Sequence, residues 1–118
     1  MERENGYYFG TEISGKWYRR YMKSGMLARG NGDYWFDENG LNFLRMLTSK
    51  PMVIPFSAMQ GIQTGKWHSG RWGQGCTVIK VLWSDNNQEL SSGFILAKNK
   101  TEEKEILDFL EKKISDKQ

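Results

Sequence analysis

Short apolar stretches separated by glycines recur along this chain, and this pattern limits the possible folds more than any other property of the sequence. The sequence has 13 glycines, and they fall mostly between the apolar stretches. Tight turns between short strands use glycine because it adopts backbone angles that other residues avoid. There is no internal repeat or low-complexity tract, which excludes solenoid and propeller folds. This pattern therefore predicts an antiparallel sheet.

The segment from Asp33 to Leu47 predicts a β-hairpin. Aromatic and branched side chains flank the pair Asn39-Gly40 on both sides. Asn-Gly is the usual pair in tight hairpin turns, where both residues take positive φ angles. We expect such a turn here, with the neighbouring acids acting as turn formers rather than as a catalytic pair.

A second hairpin is predicted from Cys76–Trp83 and Leu90–Ala97, joined by a polar loop at residues 84–89. Side chains alternate between the two faces of a strand, so one face of the later strand is apolar and points to a core. That face carries Leu90, Ser92, Phe94 and Leu96, with Ser91 and Gly93 opposite.

Several further segments are expected to be extended. Pro55 cannot donate a ladder hydrogen bond, so the strand that contains it should lie at an edge of the sheet. A turn at residues 57–59 separates it from the next strand. The expected strands are Met52–Phe56, Gln60–Trp67, Tyr7–Ile13, Lys16–Met22 and Met26–Arg29.

The last segment has the period of an amphipathic helix. Its apolar residues form a stripe about 100° wide. Thr101 is expected to cap the helix, and Lys113 falls inside the stripe, so its ammonium group should extend past the apolar surface to water. The stripe consists of Ile106, Leu107, Leu110 and Ile114.

Length and composition limit the class of protein. The 118 residues fit a single domain, residues 1–118, and 38% apolar with 26% charged residues is typical of globular proteins. There is no apolar run of transmembrane length. The single cysteine, Cys76, and single histidine, His68, predict no internal disulfide, no metal site and no cofactor, and we expect a cytoplasmic protein.

The order of these elements resembles the pleckstrin-homology superfold, in particular its bacterial and GRAM-type versions. The resemblance spans about Gly25 to Ile114 and rests on three stretches. They are Gly25–Ala28 with the Asp33–Leu47 hairpin; Val53–Ile62, with the letters VIPFSAMQGI; and Val78–Trp83 followed by Gly93–Leu96 and the helix.

The resemblance implies a mainly β fold, a partly open antiparallel barrel of about seven strands closed by one C-terminal α-helix. Residues 1–24 would be an N-terminal extension or an extra strand, residues 25–100 the strands, and residues 101–115 the helix. Many eukaryotic members bind inositol phospholipids through basic residues in the loop between the first two strands. The corresponding loop here, residues 30–33 or 37–40, carries no lysine or arginine.

Two basic segments are candidate binding sites. Residues 65–75 set tryptophans and cations among glycines, and the candidates there are Lys66, Trp67, His68, Arg71 and Trp72. Exposed indoles would stack on bases or sugars or enter a lipid headgroup layer. Alternatively, the segment is a hairpin whose tryptophans cover a barrel end, the commoner arrangement. We expect His68 to be a surface residue rather than a general base.

The second basic segment lies near the N-terminus and contains no acidic residue between Ser14 and Gly32. Its charges are split between both faces of the expected strand, so they do not form one patch. A solvated strand face and a site for anionic phosphates are both open interpretations. The cations are Lys16, Arg19, Arg20, Lys23 and Arg29.

The sequence therefore predicts a non-enzymatic binding or scaffolding module. Docking to a protein or self-association is the first hypothesis, with a sheet edge as one route. Peripheral contact with an anionic membrane, at its inner face, is the second. Binding of single-stranded nucleic acid is the third.

Overall fold

A computed structural model describes residues 3–21, 26 and 29–116, apart from the side chains of Trp17 and Arg20. Within these residues lie ten strands, a single turn of 3-10 helix and one α-helix. The strands are β1 (Glu4–Ile13), β2 (Lys16–Arg20), β3 (Gly30–Phe36), β4 (Gly40–Arg45), β5 (Met52–Pro55), β6 (Met59–Gly65), β7 (Trp67–His68), β8 (Arg71–Trp72), β9 (Val78–Asp85) and β10 (Gln88–Ile95); the 3-10 turn is Phe56–Ala58 and the helix is α1 (Lys100–Asp116).

Seven strands pair edge to edge in the order β5-β4-β3-β1-β10-β9-β6, and β2 adds to the end of β1. Every pairing is antiparallel. Among the described residues β5 and β6 do not pair with each other, so the sheet does not close completely. The predicted architecture, a mainly β, partly open sheet with one C-terminal helix, is confirmed.

The N-terminal strand lies in the middle of the sheet. Residues 4–8 of β1 pair with β3, and residues 7–13 pair with β10, with a bulge between Tyr8 and Gly10. A segment expected to be an extension or an extra strand is thus central to the fold. The strand predicted over residues 26–29 lies partly outside the described residues.

The β3–β4 hairpin is confirmed, but its turn differs from the expected one. Neither Asn39 nor Gly40 has a positive φ. Instead the carboxylate of Asp37 accepts hydrogen bonds from the backbone N–H groups of Asn39 (2.9 Å) and Gly40 (3.0 Å), which lowers the pKa of Asp37. Glycine is needed at residue 40 for close approach, because a Cβ there would lie 2.1 Å from the carbonyl oxygen of Ile54.

The β9–β10 hairpin is confirmed with a shorter loop than predicted. Asp85 pairs with Gln88, and the two residues between them, Asn86 and Asn87, have φ angles of 50° and 65°. Positive φ at both central residues is the geometry of a two-residue hairpin turn, and asparagine tolerates it well.

The two faces of β10 are arranged as predicted. Leu90, Phe94 and Leu96, the last just after the strand, are buried in the core cluster. The hydroxyl of Ser92 is buried there too, where it accepts a hydrogen bond from the indole N–H of Trp83 at 2.9 Å. Ser91 and Gly93, on the opposite face, are buried as well, which shows that another part of the chain covers this outer face of the sheet.

The edge position of the strand with Pro55 is also confirmed, since β5 is the last strand on one side of the sheet. Phe56, at the start of the 3-10 turn, is buried and turns the chain towards β6. Because no further strand among the described residues pairs with β5 on its outer side, the N–H group that Pro55 lacks is not required for pairing there.

The helix packs across the open end of the sheet. Leu110 and Ile114 are buried, and the ring of Phe109 lies 4.9 Å from that of Phe36 between centroids. The ammonium group of Lys113 lies 5.3 Å from the centre of the Phe56 ring, so its stem runs along the apolar surface as predicted.

The expected cap of the helix is wrong. The helix begins at Lys100, one residue before Thr101. The side-chain oxygen of Asn99 accepts a hydrogen bond from the backbone N–H of Glu102 at 2.9 Å, so Asn99 is the N-cap. Glu102 in turn accepts a hydrogen bond from the backbone N–H of Lys98 at 2.8 Å.

Candidate binding surface

The candidate surface is built on a short hairpin, β7–β8, that links β6 to β9. Trp67 pairs with Trp72 and His68 with Arg71, and the two residues of the turn, Ser69 and Gly70, have φ angles of 50° and 77°. We call residues 66–72 the tryptophan hairpin. It forms a two-stranded sheet of its own beside the main one.

His68 anchors the tryptophan hairpin to the outer face of the main sheet. Its ring is 1% exposed, and its Nε2 donates to the carbonyl oxygen of Gly10 at 3.1 Å. The ring lies directly over Gly93, where a Cβ would come within 2.5 Å of it. The expectation that His68 is a surface residue is wrong, because Gly93 leaves space for the imidazole over β10.

Glu12 holds the turn of the hairpin. Its carboxylate accepts a hydrogen bond from the backbone N–H of Ser69 at 2.7 Å and lies 3.6 Å from Nδ1 of His68. The guanidinium of Arg29 donates to the carbonyl oxygen of Ser69. Glu12, His68 and Ser69 are all buried, so this group of side chains fixes the position of the hairpin and is sealed from solvent.

Burial lowers the pKa of His68, and the nearby Lys80 lowers it further, whereas the carboxylate of Glu12 and backbone hydrogen bonds with Ser91 and Gly10 act in the opposite direction. Desolvation is the largest effect, since transfer of a charge from water into the protein is unfavourable. The imidazole is therefore neutral at pH 7.

Acidification is expected to destabilise the protein below the ordinary histidine pKa of about 6.5. Between that value and the lower pKa of folded His68, the unfolded chain binds a proton that the folded protein does not. Stability therefore rises with pH in this window, by up to about 1.4 kcal/mol per unit. Urea unfolding between about pH 7 and about pH 5 measures the slope.

The control variant for this dependence of stability on pH is His68→Gln. Its side-chain amide can still donate a hydrogen bond to the carbonyl oxygen of Gly10, but it does not titrate. The variant should show a flatter dependence over the same range. If the stability of the natural protein stayed constant or rose on acidification, His68 would not be held neutral by burial.

The two tryptophans point away from the main sheet. Adjacent residues of a strand face opposite sides, so Trp67 and Trp72 lie on the side opposite to His68. They are 59% and 49% exposed, and their ring centroids are 6.4 Å apart with the planes tilted by 38°. The interpretation that these indoles cover a barrel end is therefore wrong, and the alternative, that they are presented to solvent, holds.

Cations flank the exposed indoles. Lys66 is exposed next to Trp67, and the guanidinium of Arg71 donates to the hydroxyl of Tyr7 at 2.7 Å while remaining exposed. Beside Trp72 an open groove of about 640 Å³ separates the hairpin from β1, β3 and the end of β10. Its walls include Tyr7, Phe9, Asn31, Arg71, Trp72 and Lys98.

Of the described N-terminal cations, Arg29 contacts the tryptophan hairpin, whereas Lys16 and Arg19 lie on β2. Arg29 contacts the hairpin turn through Ser69, and its role there is structural. Lys16 and Arg19 are exposed on β2, which pairs with β1 at Glu12 and Ile13. Lys23 and the side chain of Arg20 lie outside the described residues.

One charge pattern in the sequence marks the position of this surface, and the predictions from sequence did not use it. The sequence has no acidic residue between Glu38 and Asp85. The cations within that stretch are Arg45, Lys50, Lys66, Arg71 and Lys80. The tryptophan hairpin lies in the middle of it, and none of the salt bridges between described residues involves Lys66 or Arg71.

The part of the chain that the structure describes contains neither a cluster of metal ligands nor a membrane-spanning helix. Over residues 3–21, 26 and 29–116, histidine, cysteine and acidic side chains form no group that could hold a metal ion. Over the same residues, no helix is both long enough and apolar enough to cross a bilayer.

An open antiparallel sheet with a C-terminal helix across its open end defines a domain of the pleckstrin-homology (PH) type. Such domains are in general non-catalytic binding modules. Residues 1–111 match the family described as "Bacterial PH domain-like", and the chain belongs to this family. The match includes residues 1–24, which the sequence resemblance had left out. No curated protein and no solved structure matches the chain.

Proposed function

We propose that this domain is a non-catalytic module that docks reversibly on anionic membrane surfaces through the tryptophan hairpin. The observation that carries the proposal is the outward-facing pair Trp67 and Trp72, about half exposed and flanked by Lys66 and Arg71. Tryptophan is enriched at membrane interfaces, where its apolar ring and polar N–H group both find suitable surroundings. Lysine and arginine at the same level meet lipid phosphates.

The expected energies fit reversible docking. An aromatic side chain buries roughly 150 to 250 Å² when fully covered, so the exposed half of each indole would contribute about 2 kcal/mol. Each cation near an anionic surface adds about 1 kcal/mol. Two indoles and two cations then give about 6 kcal/mol, which is enough for peripheral association but far from permanent insertion.

Nucleic-acid binding is less well supported by the geometry of the indoles. At 6.4 Å between centroids, the rings of Trp67 and Trp72 contact each other, so a base cannot enter between them. Single strands are held by several separate aromatic platforms along a charged groove. The tryptophan hairpin offers one joined pair.

Docking of a protein strand on the sheet edge is also less well supported. One edge strand, β5, has four residues and ends in Pro55, which lacks a backbone donor. The other edge strand, β6, packs against the helix α1. Self-association of the domain remains a prediction.

Replacing both tryptophans with alanine is expected to weaken binding to vesicles by a factor on the order of 1,000, because about 2 kcal/mol of apolar contact is lost at each of the two positions. Co-sedimentation with vesicles of equal parts phosphatidylglycerol and phosphatidylcholine measures the affinity. The matched control is Trp35→Ala: Trp35 lies on β3 with the guanidinium of Arg3 4.2 Å from its ring centre. Binding by this control should be unchanged.

The contribution of Lys66 and Arg71 to vesicle binding is tested separately, with its own control variant. Lys66→Gln with Arg71→Gln should weaken binding at an ionic strength of about 0.01 M, where the Debye length is about 30 Å, and have less effect at about 1 M. Lys112→Gln, on the exposed side of α1, should leave binding unchanged. Absence of sedimentation at low salt, or equal sedimentation with purely phosphatidylcholine vesicles, would rule out the proposed function.

A further inference from the structure

The turn between β4 and β5 exposes two large apolar side chains. Met46 is 63% exposed and Leu47 is fully exposed, at 102%. Leu47 also has a φ of 66°, in the left-handed region that leucine avoids and that glycine or asparagine occupies more easily. An apolar residue here is thus unfavourable for both the turn and its hydration. We call residues 46–47 the Met-Leu tip.

The Met-Leu tip is hydrogen-bonded to β3, a strand that helps to line the groove beside Trp72. The backbone N–H of Met46 donates to the carbonyl oxygen of Asn31 at 2.9 Å. Asn31 also lines the groove whose other wall includes Arg71 and Trp72. Asn31 of β3 therefore bonds to the backbone of the tip and lines the groove beside Trp72, whereas Leu47 itself lines a separate groove with Arg45 and Lys50.

The surroundings of the Met-Leu tip are basic. Arg45 precedes it, Lys50 follows it, and both belong to the stretch between Glu38 and Asp85 that contains no acidic residue. Exposed apolar side chains flanked by cations are complementary to an anionic bilayer, whose charged headgroups cover an apolar interior. The same charges would repel a second copy of this basic surface.

We propose that the Met-Leu tip is a second membrane anchor, which inserts Leu47 and Met46 between the lipids of the anionic bilayer on which the tryptophan hairpin docks. The inference rests on the proposed function and adds an element to it. Insertion at both the Met-Leu tip and the tryptophan hairpin would fix the orientation of the domain on the membrane, which a single hairpin would leave free to tilt.

The first test is Leu47→Asn, which removes the apolar side chain and suits the positive φ. The variant should keep the thermal stability of the natural protein or exceed it, and its affinity for the phosphatidylglycerol vesicles should fall about tenfold. Val53→Thr is the control: Val53 is 39% exposed on β5 and outside the Met-Leu tip. That variant should bind as the natural protein does.

The second test reports insertion directly. Leu47→Cys in a Cys76→Ser background allows one environment-sensitive fluorophore to be attached at the tip, and Val53→Cys in the same background provides the control position. Emission from the tip label should shift to the blue on phosphatidylglycerol vesicles and not on phosphatidylcholine vesicles. The control label should not shift.

The outcomes separate the two proposals. If the protein binds the vesicles but Leu47→Asn binds equally well and the tip label does not shift, the Met-Leu tip is not an anchor and the hairpin docks alone. If the natural protein does not bind the vesicles, the proposed function fails. If the tip label shifts with protein concentration in the absence of lipid, the tip is a contact between copies of the chain and the inference is overturned.

Discussion

Replacing Gly93 with alanine is expected to detach the tryptophan hairpin from the sheet and to lower the free energy of unfolding by about 2 to 3 kcal/mol. The added Cβ would lie 2.5 Å from the imidazole of His68, which fills the space above β10. The ring cannot retreat without breaking the contacts of His68 with Gly10 and of Ser69 with Glu12. Urea unfolding measures the stability, and vesicle binding should fall with it, because the indoles lose their fixed position.

Gly61→Ala is the matched control for this variant. Gly61 lies in β6 of the same sheet, has no positive φ, and its Cβ would meet only Leu82 at an ordinary 3.6 Å. Its alanine variant should be nearly as stable as the natural protein. In a double-mutant cycle, Gly93→Ala should cost little more once His68→Ala has removed the ring. Equal costs of Gly93→Ala with and without the ring would contradict the anchoring role of His68.

Replacing Leu110 with alanine is expected to lower the free energy of unfolding by about 3 kcal/mol, because the side chain is fully buried between the helix and the sheet. For a domain of this size, that corresponds to a melting temperature lower by roughly 10 °C. Differential scanning calorimetry measures the change. The loss is a large part of the roughly 5 to 15 kcal/mol of stability that domains possess.

Ile106→Ala supplies the comparison within the same helix. Ile106 is half-buried at the margin of the stripe, so its truncation should cost only about 1 kcal/mol. Equal effects at residues 106 and 110, or a change below about 1 kcal/mol for Leu110→Ala, would show that the helix does not seal the open end of the sheet.

The parts of the fold that were predictable from sequence depend on neighbouring residues. The β3–β4 and β9–β10 hairpins and the stripe of α1 follow from alternation and from the helical period, which are local patterns. The position of β1 was not predictable in this way. Its pairing with β10 joins residues such as Tyr8 and Phe94, far apart in the chain, and nothing local specifies such a partner.

The candidate surface was partly predictable. The aromatic and basic composition of residues 65–75 indicated a site, but the exposure of Trp67 and Trp72 depends on which side of the hairpin faces the sheet. That choice is made by His68, which needs the space over Gly93, a residue distant in sequence. Leu47 was missed because an apolar residue in a hairpin pattern is expected to be buried, and its exposure follows from the turn's backbone angles.

The most direct test of membrane docking is quenching of tryptophan fluorescence by brominated lipids in phosphatidylglycerol vesicles. The variant Trp67→Phe with Trp72→Phe keeps the other three tryptophans, Trp17, Trp35 and Trp83, so its difference from the natural protein isolates the hairpin. We expect quenching in the natural protein and expect it to be largely lost in the double variant. Equal emission with and without brominated lipid, in protein that sediments with the vesicles, would contradict docking through these indoles.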